Sequence, residues 1–431
     1  MAGCAASPLM FSARIQSAAV QDQAEEQPTR RPMPVDFQQI HARIVQIAPR
    51  ELERGTLLEK RKIEAMRLLD THAVDLDNLR GKVETASITD SHVRCAAPVD
   101  EPLTCSQACP PAPADATLVA VDGSQINPDR HAALQFAIIN AGAVIMRPRS
   151  GEVTELCTSS DLLYGEDLET EYGMMSERLV ALRRDIKERE MFDELSKSFA
   201  GAVVTFTDGP LELWSTEGED AKEFAFFLEK YKVVLSRLQE RGAVTAGYVD
   251  RPGADLVVRL LELATMSDDQ LKDRQTVRTY HPFRGVDDRL LFGGESDIQP
   301  KILPGHRSAV FRLQSSSQNI YTGALSLHFF YLNVGISNHP WIVRVEIPQW
   351  VAKDPAKLNL LHAVLIEQCG IMGHKPYPYL LHRAHETAVV RHEEKPQVEQ
   401  MLQLELNRRG KPIGDTSNKQ ALKDLPGRKS I

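Results

Sequence analysis

The sequence predicts an α/β fold in which a mixed sheet is flanked by helices and preceded by a helical N-terminal region. Three observations point there. Short apolar runs of strand character alternate with longer segments of helical period from about residue 116 onward. Before that point only helical period is found, and a proline-rich stretch separates the two parts. With 431 residues and 42% hydrophobic content, the chain can bury a large core.

Residues 1–34 are polar and end in Pro28, Pro32 and Pro34, the composition of a disordered tail. Over 35–95, Ile40, Ile44 and Ile47, then Ile63, Met66 and Leu69, recur at steps of three and four, which predicts an amphipathic helical pair. Such a region packs on a partner or on its own core. Residues 96–115 (AAPVDEPLTCSQACPPAPAD) read as a linker. LVAVDGS (118–124) reads as a buried strand ending in a turn, and LQFAIINAGAVIM (134–146) as two strands around Asn140-Ala141-Gly142. An acidic loop is expected from Asp161 to Glu171, then a helix from Ser176 to about Phe199. AVVTFTD (202–208) and VTAGYVD (244–250) are further apolar strands, separated by an amphipathic helix marked by Phe224, Phe227, Tyr231, Val234 and Leu238. LSLHFFYLNV (325–334) and WIVRVEIP (341–348) follow as strands, then a helix over Leu358–Cys369 and the segment YPYLLHRAHETAVV (377–390). The core therefore opens in the order β-β-β-α-β, that of an RNase H-like sheet. No internal repeat is found.

The net charge of −8 argues against a protein that coats nucleic acid but leaves room for a local basic surface. One segment is locally basic. From Arg408 onward, in the C-terminal segment 392–431, seven basic residues (Arg408, Arg409, Lys411, Lys419, Lys423, Arg428, Lys429) face two acids (Asp415, Asp424), a net +5 over 408–431. It is either a solvated tail or a contact for DNA or a partner. No apolar run approaches the roughly 18 residues of a membrane span. The first twenty residues carry Arg14 as their only charge and lack the basic start and apolar stretch of a secretory signal, so the expected location is the cytoplasm. Six scattered cysteines fit a reducing compartment. Cys95, Cys105 and Cys109, with His92 nearby, match no common zinc spacing. P-loop, HExxH and GxSxG patterns are all missing, which removes ATP hydrolysis, zinc proteolysis and serine hydrolysis from consideration.

What remains is carboxylate chemistry. Three apolar strands run into aspartates, Asp122, Asp208 and Asp250. Loops beyond the carboxyl ends of strands form the usual ligand crevice of an α/β sheet. Carboxylates gathered there repel one another, and a divalent cation relieves that repulsion. Hard oxygen donors favour magnesium or manganese. The plainer reading is that Asp-Gly is a common turn pair which merely ends a strand.

Beyond these patterns, VAVDGSQ (119–125), VTFTDGPL (204–211) and YPYLLHRAH (377–385) resemble, in order and approximate spacing, the motifs of the NurA nuclease family. The third, with Tyr377 eight residues before His385, is the most distinctive. The resemblance spans residues 116–391 and implies an RNase H-like nuclease domain. It implies that Asp122 is the first-strand aspartate that bridges metals and that Asp208 closes the later strand. It makes His385 a metal ligand or proton-transfer group and Tyr377 a hydroxyl that orients phosphate. The family also places a glutamate on the intervening helix, which here offers Glu177, Glu188, Glu190 and Glu194. Glu190, 18 residues before Asp208, matches the family spacing, with Glu188 next in line. Many archaeal members carry Ser-Lys at Val249-Asp250. Asp250 is left with three readings: a metal ligand, a partner of Arg251, or a turn former before Pro252-Gly253.

The implied activity is hydrolysis of DNA phosphodiesters by two manganese or magnesium ions, as single-strand endonuclease and 5′-to-3′ exonuclease, in DNA end resection for recombinational repair. The implied partners are a second copy of the chain and a hexameric HerA-type ATPase. Two other readings stay open: a NurA-like adaptor that binds DNA or the translocase without cutting, and a different RNase H-like nuclease.

Overall fold

A computed structural model of the chain describes residues 35–111, 116–171, 173–213, 221–294, 299–336, 339–391 and 393–411. The chain divides into two compact units, residues 1–55 and 56–431. The expected tail, 1–34, and most of the basic segment, from residue 412 on, lie outside the described residues.

Helix α1 (Phe37–Thr71) carries the apolar periodicity seen in the sequence. In the first unit its residues Phe37, Ile40, Ile44 and Ile47 are exposed. The second unit begins within α1, where Ala65, Met66, Leu68 and Leu69 are buried. Helix α2 (Leu76–Thr89) follows, with Leu79, Val83 and Ala86 buried.

Strand β1 (Cys95–Pro98) is the first strand of the sheet, followed by β2 (Thr117–Ile126), β3 (Phe136–Met146) and β4 (Glu155–Tyr164). A two-strand ribbon, β5 (Glu169–Thr170) and β6 (Gly173–Met174), leads to helix α3 (Glu177–Ser196) and strand β7 (Val203–Asp208). Helix α4 (Ala221–Glu240) and strand β8 (Val244–Val249) complete the opening motif. Next come helices α5 (Leu256–Thr265), α6 (Asp268–Lys272), α7 (Arg274–Thr279) and α8 (Asp288–Gly293). Strands β9 (Phe311–Gln314), β10 (Leu327–Asn333) and β11 (Ile342–Pro348) return to the sheet. Helices α9 (Gln349–Ala352), α10 (Pro355–Ile371), α11 (Tyr379–Ala388) and α12 (Glu394–Arg408) end the described chain.

Among the described residues, nine strands form one sheet in the order β1-β9-β10-β11-β8-β7-β2-β3-β4. Of these, the central three, β2, β7 and β8, run parallel. This is the expected mixed sheet flanked by helices. Side chains alternate across it with the two-residue period of a strand. Along β2, Leu118 and Ala120 join the cluster under α10 and α11, with Leu361, Leu365 and Leu381. Val119 and Val121 join the opposite cluster with Phe192 of α3 and Leu238 of α4. Burial on both faces explains the continuous apolar run.

Several local expectations need correction. Residues 134–146 hold one strand, β3, and its Asn140-Ala141-Gly142 pairs through without a turn. Asn140 needs no turn because its amide donates to the Ala388 carbonyl and its oxygen accepts from the Ser160 hydroxyl. The acidic loop begins later than expected, since Asp161–Tyr164 finish β4. The linker 96–115 is not free of structure: Ala96–Pro98 belong to edge strand β1, paired to β9. Just beyond it, Glu101 holds Arg307 by two hydrogen bonds, at 2.7 and 2.8 Å. Helix α12 lies in the segment read as a basic tail, yet its Val398, Leu402 and Leu406 pack on Leu134, Phe136 and Ile138. Cys95 is buried, Cys105 is half-buried and Cys109 is exposed, and no zinc cluster forms with His92 among the described residues. No described helix is long and apolar enough to cross a membrane.

Candidate active site

The parallel ladder between β2 and β7 ends at Ala120–Phe206. Beyond it the two strands part, and a cleft of about 500 Å³ opens at their carboxyl side. Asp122, Glu188, Asp208 and His385 line it, together with Asp185, Arg184, Arg189 and Glu212.

Asp122 does not end its strand, because β2 continues to Ile126 against β3. It stands two residues past the last pair with β7, and Asp208 stands two residues past the same pair on its own strand. The register therefore places the two carboxylates side by side. His385, on α11, reaches Asp122 with its Nδ1 at 2.8 Å from Oδ2. Helix α11 comes this close because Gly142, directly opposite Asp122, has no side chain. A Cβ there would lie 2.5 Å from the backbone nitrogen of Ala388.

Helix α3 approaches the other face through Gly123, where a Cβ would lie 2.5 Å from Oε1 of Glu188 and 2.6 Å from Cγ of Arg184. Helix α3 thus delivers Glu188, which is buried. The Nη1 of Arg189 lies 3.2 Å from Oε2 of Glu188 and donates to the Thr207 hydroxyl at 2.7 Å, tying the helix to the residue before Asp208. Burial pushes the Glu188 carboxyl up to about 8, against the pull of Arg189 and Arg184 and with the help of Asp185 and Asp122. The Asp208 carboxyl is also raised, first by burial and then by the charge of Asp122.

Glu190 is not brought to the cleft. It is exposed on α3. Two residues along a helix turn through about 200°, so the side that carries Glu188 inward carries Glu190 away. Tyr377, just before α11, stands near Asp208, and its hydroxyl favours the ionised form of that carboxyl. Its ring meets Tyr248 edge-on at 5.5 Å between centroids. Burial, then the charges of Asp208 and Asp122, hold its hydroxyl well above the ordinary phenol range. Asp250 stands apart from the cleft lining, and its Oδ1 accepts from the Trp341 indole at 3.0 Å. Arg251 lies over the same Trp341 ring instead of pairing with Asp250 in this arrangement.

Sequence reasoning missed Arg184, Asp185, Arg189 and Gly123. The readable signal was the helix period: Arg178, Asp185 and Glu188, at steps of seven and three, mark a charged stripe on a helix that also buries Leu182 and Ile186.

A divalent ion fits the chemistry of this site. Its donors are hard carboxylate oxygens and one imidazole, and beyond burial the charge of Asp122 raises the proton affinity of both Glu188 and Asp208, the sign of a negative field at the cleft. No three His, Cys, Asp or Glu side chains among the described residues already form a cage. Binding would have to draw the donors together.

The NurA domain family model matches residues 116–390. No curated protein matches the chain. Among solved structures, the NurA nuclease from Sulfolobus solfataricus is 11% identical, with 86% of this chain and 97% of that one covered and a TM-score of 0.42. Endonuclease V of Ciona intestinalis, solved with a 24mer DNA containing an inosine followed by a ribo-adenosine, is 10% identical, with 74% and 96% covered and a TM-score of 0.28. Drosophila Piwi is 9% identical, with 63% and 29% covered and a TM-score of 0.25.

Proposed function

Since the chain belongs to the NurA family, whose model spans more than half of it, we propose that this nuclease cuts DNA phosphodiesters with divalent metal at the cleft between β2, β7 and α3. The observation that carries the reading is the meeting of Asp122, Glu188, Asp208 and His385 around one cleft. These four residues, with Glu188 in place of Glu190, are the proposed ligand set for two manganese or magnesium ions. When bound, such ions supply a nucleophile at neutral pH and neutralise charge on the attacking and leaving oxygens.

The chain's own residues have separable tasks. Asp122 accepts from Nδ1 of His385 and so fixes the ring, leaving Nε2 as the nitrogen that faces the cleft, as a metal ligand or, without one, as a proton-transfer group. The Tyr377 hydroxyl favours the ionised form of Asp208. Arg189 holds Glu188 against Thr207. The folded tyrosine keeps its proton, so it acts as a donor.

Family membership supports the finer proposals: single-strand endonuclease and 5′-to-3′ exonuclease activity, a role in DNA end resection for recombinational repair, manganese as the preferred ion, a homodimer, and docking on a HerA-type hexameric translocase. The exposed apolar stripe Phe37, Ile40, Ile44 and Ile47 is a candidate contact for one of these partners.

Cleavage of labelled single-stranded DNA, duplex DNA and RNA with manganese, compared with Asp122→Ala, tests the reading. Loss of DNA cleavage on chelation and on substitution supports it. Preferred cleavage of RNA points to a different RNase H-like nuclease. No cleavage by folded, metal-loaded protein, even with the translocase added, leaves the adaptor reading.

A further inference from the structure

We propose that Arg184 is a substrate-binding residue, which receives a non-bridging oxygen of a DNA backbone phosphodiester entering the cleft. This rests on the nuclease reading above and adds a residue to it.

The cleft has an electrostatic problem. Asp122, Asp185, Glu188, Asp208 and Glu212 all line it, and a phosphodiester is itself an anion. Three arginines at the wall, Arg178, Arg184 and Arg189, offer it fixed positive charge. Arg189 is not available, since it is 4% exposed and its Nη1 is spent on Thr207 and Glu188. Arg184 differs in each respect. Its side chain is 31% exposed and lines the open cleft.

Its approach is built into the strand. The Cγ and Cδ of Arg184 lie 2.6 and 2.9 Å from where a Cβ of Gly123 would stand, so the guanidinium reaches the cleft along the lane that this glycine leaves. Asp185 then orients it, accepting from Nη2 at 2.7 Å and from Nε at 3.3 Å on one oxygen. Oε1 of Glu188 lies 3.5 Å from Nε. Nη1 makes no hydrogen bond among the described residues. The guanidinium is thus held by one edge and keeps donors free on the other. That planar, pre-oriented fork is what recognises phosphate oxygens. A surface ion pair with Asp185 alone would require neither the glycine lane nor a place beside Asp122 and Glu188.

The test is binding of fluorescein-labelled single-stranded DNA, followed by anisotropy in chelator, with Arg184→Ala and Arg184→Gln each confirmed folded by thermal melting. Both variants are expected to bind roughly tenfold more weakly. The slope of log affinity against log salt concentration should fall by about one in magnitude, since one phosphate contact is lost. A neutral methylphosphonate at the position of cleavage should weaken the wild type by a similar factor and leave the variants almost unchanged. If wild type cleaves DNA while the variants match its affinity, salt slope and methylphosphonate penalty, Arg184 only neutralises Asp185 and the inference is overturned. A wild type that neither binds nor cleaves DNA overturns the nuclease reading together with it.

Discussion

Nδ1 of His385 lies 2.8 Å from Oδ2 of Asp122, joining two residues 263 positions apart in the chain. The contact ties α11 to the central strand, and its two partners are asymmetric. Asp122 is largely enclosed while the His385 side chain is 66% exposed, so the carboxylate belongs to the framework and the imidazole faces the open cleft.

Asp122→Asn should therefore abolish cleavage, by on the order of 10³-fold or more, while the melting temperature changes little. His385→Ala should cost roughly 10²-fold, the usual share of a proton-transferring side chain. Initial rates on single-stranded DNA, with melting curves of both variants, check this. An Asp122→Asn enzyme that keeps a tenth of the wild-type rate would remove Asp122 from the reaction.

Glu188 and Glu190 are expected to behave oppositely. Glu188→Gln should lose cleavage and divalent-ion binding, whereas Glu190→Gln, on the exposed face, should retain both. Equal activity in the two variants would contradict the assignment.

The raised Glu188 carboxyl also predicts a pH dependence. Its ordinary value is 4.5 and the fold pushes it up to about 8. A carboxyl raised in the folded state adds stability that is full below 4.5 and lost as pH rises through about 8, because the unfolded chain releases its proton first. Without metal, wild type should lose on the order of a few kcal/mol across that window relative to Glu188→Gln. Metal binding has the opposite sign, since ligation needs the ionised carboxylate. Manganese affinity should tighten as pH rises toward 8. Calorimetric melting and manganese titration at pH 5.5, 7 and 8.5 measure both, and parallel curves for wild type and Glu188→Gln would sink the prediction.

Tyr377→Phe removes the hydroxyl that favours ionised Asp208 while keeping the ring that packs on Tyr248. Loss of a polar partner by a charged group costs about 1.5–3 kcal/mol, so turnover should fall roughly 10- to 100-fold. The fold should stay intact. The pH profile of the remaining activity should keep its shape, because the raised phenol never ionises in the working range.

Gly142→Ala and Gly123→Ala separate backbone from side-chain crowding. At Gly142 the new methyl meets backbone of α11 at 2.5 Å, which cannot swing aside. Stability should drop by about 1–3 kcal/mol, with His385 displaced. At Gly123 the methyl meets Oε1 of Glu188 and the Cγ and Cδ of Arg184, side-chain atoms that can shift where backbone cannot, so activity should suffer more than stability. Urea titrations and rates of both variants decide it, and a Gly142→Ala protein as stable as wild type would mean that α11 is less firmly seated than its contacts indicate.

Away from the site, Asp288 is buried and accepts from the backbone N–H groups of Val257 and Val258 at the start of α5, and from the Tyr331 hydroxyl. Asp288→Ala leaves those donors unsatisfied and should cost roughly 2–4 kcal/mol. An unfolding midpoint in urea equal to wild type would refute it.

Much of the architecture was legible in the chain. The apolar runs at 118–122, 202–208 and 244–250 are strands because they are buried on both faces, and such runs are read locally. The aspartates that follow them, and the Tyr377…His385 segment, marked the chemistry. Errors arose where a local signal was satisfied from a distance. Asn140 looked like a turn residue, but Ala388 and Ser160 supply its hydrogen bonds. The proline-rich stretch looked like a linker, but β9 and Arg307 organise it.

By itself, the sequence determined the central strands and their flanking helices, which residue types the cleft can draw on, and which family the motifs resemble, since periodicity and motif are properties of neighbouring residues. Tertiary structure alone decided that α3 turns Glu188 and Arg184 inward and Glu190 out, that Trp341 occupies Asp250, and that His385 meets Asp122. Each depends on how closely a helix can approach a strand, and here that distance is set by two glycines, Gly123 and Gly142, whose missing side chains become informative only when the opposing helix is in place.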